Sequence, residues 1–309
     1  MSIYVEILIR ADMDELWRHT QTPDIHDRWD LRFTDIEYLP RSDDKEPQRF
    51  LYATRIGFGI RICGEGESVG NTEGSSGTRT SILKFWSNDP KSLIRTGSGY
   101  WKYVPTHEGI RFFTKYDYDT RFGALGIAFD SIVFKPLLGW ATAWSFDCLR
   151  LWLEKGIPPE VARERSMIHA LSRLVLAFIW IYQGLFPKLL YKSSGELEIL
   201  RGSGWFTGAE FTVLNIVGWA EMIFGLLCLM LWHWRAIFVV NMLLLAVLTA
   251  GAIGSSTAIF VAPFNPVTLN VAMVGLSIIG LWSSRNLPTS RTCLRQRRSE
   301  TGSAINDEL

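Results

Sequence analysis

The sequence predicts an α+β domain followed by an all-α bundle of four membrane-spanning helices. Three observations predict it. Residues Ile168–Trp282 hold four apolar runs, each near the roughly 20 residues needed to cross a bilayer. Residues 1–155 alternate apolar and polar in the manner of strands and carry most of the acidic side chains. Between the two lies Gly156-Ile-Pro-Pro-Glu160, a rigid, polar linker within 156–164. The mean hydropathy of +0.11 averages two unlike halves and does not itself define a class.

The amino-terminal domain is expected as follows. Ile3–Arg10 alternates as a strand. Asp12, with Glu15 three residues on, opens a helix carrying Leu16 and Trp17. Thr22-Pro23 opens a second short helix that ends near Trp29. Strands are expected over Leu31–Leu39, Arg49–Ile56, Gly59–Ser68, Thr78–Trp86, Ser98–Pro105 and Gly109–Thr120. The last has the clearest alternation, with Ile110, Phe112, Thr114, Tyr116 and Tyr118 on one face. Gly70–Gly77 (GNTEGSSG) is a turn, since it lacks the GK[ST] ending of a phosphate loop. Phe122–Lys155 is apolar, but its longest uncharged stretch is Pro136–Phe146. That is too short to span, and the region is expected as helices packed on the sheet with a break near Pro136.

The four spans are expected at about 168–187, 211–232, 236–258 and 267–284. Lys188–Gly208 is a polar connection, and 286–309 is a charged tail expected to be disordered. Ten basic residues (Lys155, Arg163, Arg165, Arg173, Arg235, Arg285, Arg291, Arg295, Arg297, Arg298) lie on one side, against Lys188, Lys192 and Arg201 on the other. This places both termini in the cytoplasm. The opening MSIYVEILIRADMDELW has no secretory pattern, so the first domain is expected to start in the cytoplasm.

The net charge of +1 and the lack of a basic stripe argue against a nucleic-acid partner. Cys63, Cys148, Cys228 and Cys293 are scattered without metal spacing, and a disulfide framework is not expected. His169 and His233 have no ligand-spaced companions, which argues against a metal site.

Two resemblances emerge from these segments. IYVEILIRADMDELWRHTQTPDIHDRWDLRFTDIEYL, in an order of strand, two short helices, six strands and a long helix, resembles the START-like/polyketide-cyclase superfamily over residues 1–155. The resemblance implies a helix-grip domain, an antiparallel sheet wrapped on a long carboxy-terminal helix. RLVLAFIWIYQGLFPKLL (Arg173–Leu190), GWAEMIFGLL (Gly218–Leu227) and PFNPVTLN (Pro263–Asn270) resemble the DoxX-like family of four-span membrane proteins over residues 165–285. Fusions of this kind resemble bacterial proteins, which implies the cytoplasmic membrane.

A helix-grip domain encloses a cavity between sheet and helix. Trp29, Trp86, Trp101, Tyr116 and Trp144 are candidates to line it, with Arg55, Arg61 or Arg95 as a polar contact. An apolar pocket of this kind suits a lipid-like or other hydrophobic ligand. No Ser–His–Asp set, Cys–His pair or paired acid and base stands out, so catalytic residues are not assigned. In the bundle, Glu221 falls near the middle of the second span, where a charge costs roughly 2.5–3.5 kcal/mol. It either bonds a neighbouring helix or handles a proton or ligand, with Arg173 as its expected partner. Asn241, Tyr182 and Asn270 complete the candidate membrane site. Lys188 is expected to snorkel outward. Gly184 and Gly225 permit close helix approach. Asn265 caps the fourth span, with Pro266 at its first position. Two functions stay open: binding of a hydrophobic ligand by the anchored domain, and a quinone-linked role for the bundle as the membrane subunit of an oxidoreductase with a redox partner.

Overall fold

A computed structural model describes residues 2–41, 43, 46–57, 59–74, 76–192, 195–255 and 265–296. The chain forms two compact units. The first is Met1–Ala162 together with the chain from Pro288 onward, and the second is Arg163–Leu287.

The first unit is built on one antiparallel sheet of seven strands: β1 Ile3–Ile9, β2 Asp35–Tyr38, β3 Gln48–Gly57, β4 Ile60–Glu73, β5 Arg79–Trp86, β6 Ile94–Thr106 and β7 Gly109–Thr120. Their order is β1-β7-β6-β5-β4-β3-β2. Helices α1 (Met13–Gln21) and α2 (Pro23–Trp29) bridge β1 to β2. After β7 come α3 (Gly123–Phe129), a π-helical turn at Asp130–Phe134, and α4 (Lys135–Lys155). A long closing helix gripped by an antiparallel sheet, with two short helices after the first strand, is the helix-grip fold. The core joins Val5, Ile7 and Ile9 of β1, Phe112 of β7, and Phe146 and Leu149 of α4, all at most 3% exposed.

Local chemistry explains most boundaries. The Asp12 carboxylate accepts from the amides of Asp14 and Glu15 and starts α1. β2 is shorter than the expected Leu31–Leu39 because residues 30–32 are tied elsewhere. The Leu31 amide donates to Ser145 Oγ, and the Arg32 amide donates to Asp30 Oδ1. These local bonds take backbone groups away from a ladder. β4 runs past the expected Ser68 because a bulge between Ser68 and Gly70 resets its pairing with β5. Only Gly74–Gly77 is left as a turn, closed by the Gly77 amide on the Gly74 carbonyl with Gly77 at φ +73°.

By length and composition alone, Gly123–Lys155 also suffices to cross a membrane. Its second half does not, because Thr142–Leu149 and Leu151 are buried in the core of the first unit. The break falls at the π-helical turn that ends just before Pro136.

The tail departs from expectation over its described part. Thr289 donates its amide to Asp147 Oδ2 at 2.8 Å, and the buried Cys293 thiol donates to the Ala143 carbonyl at 3.2 Å. Leu294 pairs antiparallel with Glu6, each amide donating to the other's carbonyl at 2.9 Å. Charge and the lack of core residues predicted disorder, but Cys293 finds a partner on α4 and Leu294 one along the open edge of β1. The chain therefore leaves the first unit at Ala162 and returns to it at Pro288. Both ends of the intervening segment Arg163–Leu287 join the first unit.

The second unit holds α5 (Pro159–Gly184, which begins in the first unit), π-helical turns over Leu185–Leu190, a short α6 (Gly195–Ser203), α7 (Glu210–Met230), α8 (Ala236–Ser255) and α9 (Pro266–Ser283). At 1.5 Å per residue the 20-residue α8 is about 30 Å long, a bilayer's hydrocarbon thickness. The burial pattern is that of a membrane domain. Ile216, Trp219, Leu243 and Val271 are more than half exposed, while Arg173, Glu221, Asn241 and Ser277 are at most 8% exposed. The buried seam of α7, Leu214, Gly218, Glu221, Gly225 and Cys228, repeats every three or four residues.

Candidate functional site

Two polar clusters inside the bundle hold Glu221 and Asn241 of its five candidate residues. The first joins Glu221 to Lys188. Glu221 Oε2 lies 2.9 Å from Lys188 Nζ, and that ammonium also reaches Glu196 Oε2 at 2.7 Å. Lys188 does not snorkel outward; it is 5% exposed. The π-helical turns past Gly184 keep the chain helical through Pro187 and bring Lys188 over α7, where a Cβ on Gly218 would lie 2.9 Å from Lys188 Cβ. Gly225 permits the close approach expected of it, since a Cβ there would meet Ile181 Cγ1 at 2.7 Å and the Ala177 carbonyl at 2.9 Å.

Arg173 is not the partner of Glu221. It donates from Nη1 to the carbonyls of Cys228 (2.8 Å) and Leu231 (2.9 Å), and from Nη2 to that of Trp234 (2.8 Å). Its guanidinium also lies 5.1 Å from the Phe238 ring centre. It closes the carboxy-terminal end of α7, where helix carbonyls lack partners and a cation is favoured. Glu221 is ten positions before Leu231, about 15 Å along the helix.

The second cluster is a chain of neutral groups. Trp180 Nε1 donates to Asn241 Oδ1 at 2.6 Å, Asn241 Nδ2 to Ser277 Oγ at 2.7 Å, and Ser277 Oγ to the Met273 carbonyl at 2.8 Å. It fastens α5, α8 and α9 together. Asn270 Nδ2 donates to Thr249 Oγ1 at 2.8 Å and joins α9 to α8 in the same way. Asn265 caps α9 through the Thr268 amide, with Pro266 next; Pro263 and Phe264 of the motif lie outside the described residues. Tyr182 is 47% exposed and stacks on Phe186 at 4.7 Å, on the outer surface and away from both clusters. Among the described residues no group of three His, Cys, Asp or Glu could hold a metal.

In the first unit the predicted aromatics divide. Trp29, Trp101, Tyr116 and Trp144 are core residues, at most 8% exposed. Trp86 lies on the opposite face, opposite Glu65 in the ladder, with the Arg49 guanidinium 5.9 Å from its ring. Arg55 and Arg95 are exposed, and Arg61 pairs with Asp35 at 3.4 Å on that outer face. There Arg61 and Asp35 border an acidic depression of about 400 Å³ with Glu37, Glu65 and Asp89.

The concave face beyond α4 carries residues that the sequence reading missed. Phe50 and Tyr52 of β3 lie across Gly66 and Gly64 of β4, and Phe85 of β5 lies across Gly97 of β6; a Cβ at any of these glycines would collide with the ring. Glycine opposite an aromatic residue in the ladder is the signal that marks such a floor. These rings are half-buried, and Tyr38 beside them is 42% exposed. Burial pushes the Tyr52 phenol up to about 12, so it stays a neutral donor.

Next to this floor lies a buried ion pair. Arg32 Nη2 donates to Asp30 Oδ2 at 2.5 Å and its Nε to Oδ1 at 2.9 Å; His26 Nε2 sits 3.0 Å from Oδ2. Burial alone would raise the Asp30 pKa. The Arg32 charge and the hydrogen bonds from Arg32 and His26 outweigh it and hold the carboxyl well below the usual range. The guanidinium lies 5.7 Å from the Tyr116 ring and 5.5 Å from that of Phe33.

Fold and polar bundle together define a class: a membrane protein with a helix-grip domain joined to a small helical bundle. The model of the DoxX-like family matches residues 177–278. The uncharacterized membrane protein YndG of Bacillus subtilis (strain 168) is 49% identical over 183 residues, 59% of this chain and 68% of that one. The chain belongs to the DoxX-like family of membrane proteins.

Solved structures similar to the first half include hypothetical protein jhp0584 from Helicobacter pylori, 15% identical over 50% of this chain and 88% of that one, TM-score 0.40. Another is a STAR-related lipid transfer protein fragment from Xanthomonas axonopodis, 16% identical over 50% of this chain and 86% of that one, TM-score 0.38. The helix-grip assignment rests on the strand order and helices of this chain itself.

Proposed function

We propose that the protein is a non-enzymatic binder of a hydrophobic, lipid-like molecule, held at the bacterial cytoplasmic membrane by its DoxX-like bundle. The supporting observation is the aromatic floor of Phe50, Tyr52 and Phe85. It is half-buried on the concave face of the sheet and bordered by Tyr38 and the Asp30–Arg32 pair. Flat rings offer apolar area for an acyl or prenyl chain. Arg32 and the Tyr52 hydroxyl offer donors for a polar end. A bundle in the bilayer keeps such a domain where poorly soluble ligands are stored. Both termini face the cytoplasm in this reading, which is supported by the distribution of basic residues and by the return of the chain to its first unit at Pro288, a path that calls for an even number of crossings.

The test is mass spectrometry of small molecules that co-purify with the full chain in mild detergent. A lipid-like molecule should be present in the parent and reduced in Phe85→Ala and Tyr52→Ala at unchanged expression. Equal amounts in all three would contradict binding on this face.

One observation supports a second reading, a quinone-linked membrane subunit with a redox partner. Lys188, Glu196 and Glu221 place three charges around a point within the bundle. Quinone that co-purifies with the parent and is lost in Glu221→Gln would favour it over the first.

A further inference from the structure

We infer that Phe122–Trp140 of the helix-grip unit is a membrane-insertion surface, seated in the same bilayer that the bundle crosses. Helix α3, GALGIAF, carries no polar side chain, and apart from Gly126 every residue in it is exposed. Leu125 is 83% exposed, Ile127 61% and Phe129 52%. The exposure continues through the π-helical turn at Ile132 (75%) and into α4 at Leu137 (56%). Scattered exposed apolar residues are ordinary on a protein surface; a continuous run of them is not.

The occupant follows from the shape of the exposed surface. A helix that docks in a protein groove is apolar on one face and polar on the other. Helix α3 is bare all round except at Gly126, which abuts Arg121, so a groove would leave its far side in water. A bilayer covers every face at once. Seven residues at 1.5 Å each give about 10 Å, a depth that reaches the headgroup–acyl boundary without spanning it. The base is fixed to the sheet, because Tyr118 OH donates to Asp130 Oδ1 at 2.7 Å. Phe122 in the left-handed region (φ 70°), with Gly123 (φ 54°) after it, turns the chain sharply between β7 and α3. Covalent continuity supplies the membrane. α4 is followed after Gly156–Pro158 by α5, a spanning helix, so this unit cannot leave the bilayer.

The experiment uses the full chain in lipid vesicles with Cys63→Ser; Cys148, Cys228 and Cys293 are buried. An environment-sensitive fluorophore is attached to Leu125→Cys or Ile132→Cys. The same label on Leu243→Cys of α8 serves as the lipid-exposed standard, and on Ile56→Cys of β3 as the water-exposed one. Labels at 125 and 132 should lose emission to nitroxide-bearing lipids as the one at 243 does, and resist aqueous iodide. Quenching by iodide, as at 56, would overturn the inference. Protection from both quenchers would also overturn it, since protein then covers the segment. The unlabelled chain gives a second reading: Phe122 and Phe129 should escape hydroxyl-radical oxidation in vesicles while Tyr38 is oxidised. Oxidation of all three would contradict bilayer cover whatever the labels do.

Discussion

Asp30 and Lys188 occupy similar positions in the two units, each a buried charge on which others depend. Asp30 is held by Arg32 and His26, and its folded pKa lies below its unfolded value. Its contribution to stability is therefore full above the unfolded value of about 3.9 and is lost as pH falls through the folded pKa. Asp30→Asn should destabilise the first unit by about 3 kcal/mol at neutral pH by leaving Arg32 buried and unpaired. It should also flatten the acid limb of the stability curve, which thermal melts from neutral pH down to the acid limb would reveal. In the bundle, Lys188 serves both Glu221 and Glu196. Glu221→Gln leaves Lys188 its second partner, whereas Lys188→Met strands Glu221. Lys188→Met should therefore lower the thermal midpoint in detergent clearly more than Glu221→Gln does; the reverse order would contradict the pairing. Neither pair was legible in the sequence. Glu221 was conspicuous as a charge in an apolar run, but its partner depends on π-helical turns that no residue pattern announces. Arg173 drew attention as a long cation placed within the first span, yet a guanidinium near a helix end finds free carbonyls first. Arg32 was hidden inside the strand expected over Leu31–Leu39, and Asp30 lay just before it.

Among the elements, alternation served well where one face is buried. β7 matched its expected bounds residue for residue, and β5 matched within one. β2 and β4 differed because side-chain bonds and a bulge, which periodicity does not encode, decide where pairing starts and stops. The segment Thr289–Leu294 lies in a tail expected to be disordered because it is charged and lacks core residues. It docks through backbone bonds and Cys293, whose thiol burial pushes up to about 12. Leu294→Pro removes the amide that donates to the Glu6 carbonyl, and should cost about 1–2 kcal/mol in the first unit. Hydrogen exchange should show the Glu6 amide losing protection. Unchanged protection there would mean that the segment does not cover the edge of β1. Helix α3 resists any period-based reading because it is apolar on all sides, which is a property of its surroundings and not of its fold.

For the whole molecule, the division into a strand-rich half and an apolar half was written in the composition of each segment. What the segments do together was not. That the chain returns to its first unit at Pro288 follows from a few contacts in a tail that carries no hydrophobic pattern. In the proposed topology this return requires an even number of crossings, for which α5, α7, α8 and α9 are the four apolar helices available. It also makes the first unit depend on the end of the chain, so a fragment ending at Lys155 should melt below the full chain's helix-grip transition. Such a fragment should also partition onto detergent through α3. Every functional reading here requires the helix-grip unit and the returning segment to share the cytoplasmic side. Paired reporter fusions test that most directly, one inserted after Gly202 at the carboxy-terminal end of α6 and one after Gln296. Four crossings predict an external signal at Gly202 and a cytoplasmic one at Gln296; an external signal at Gln296 would contradict the shared side.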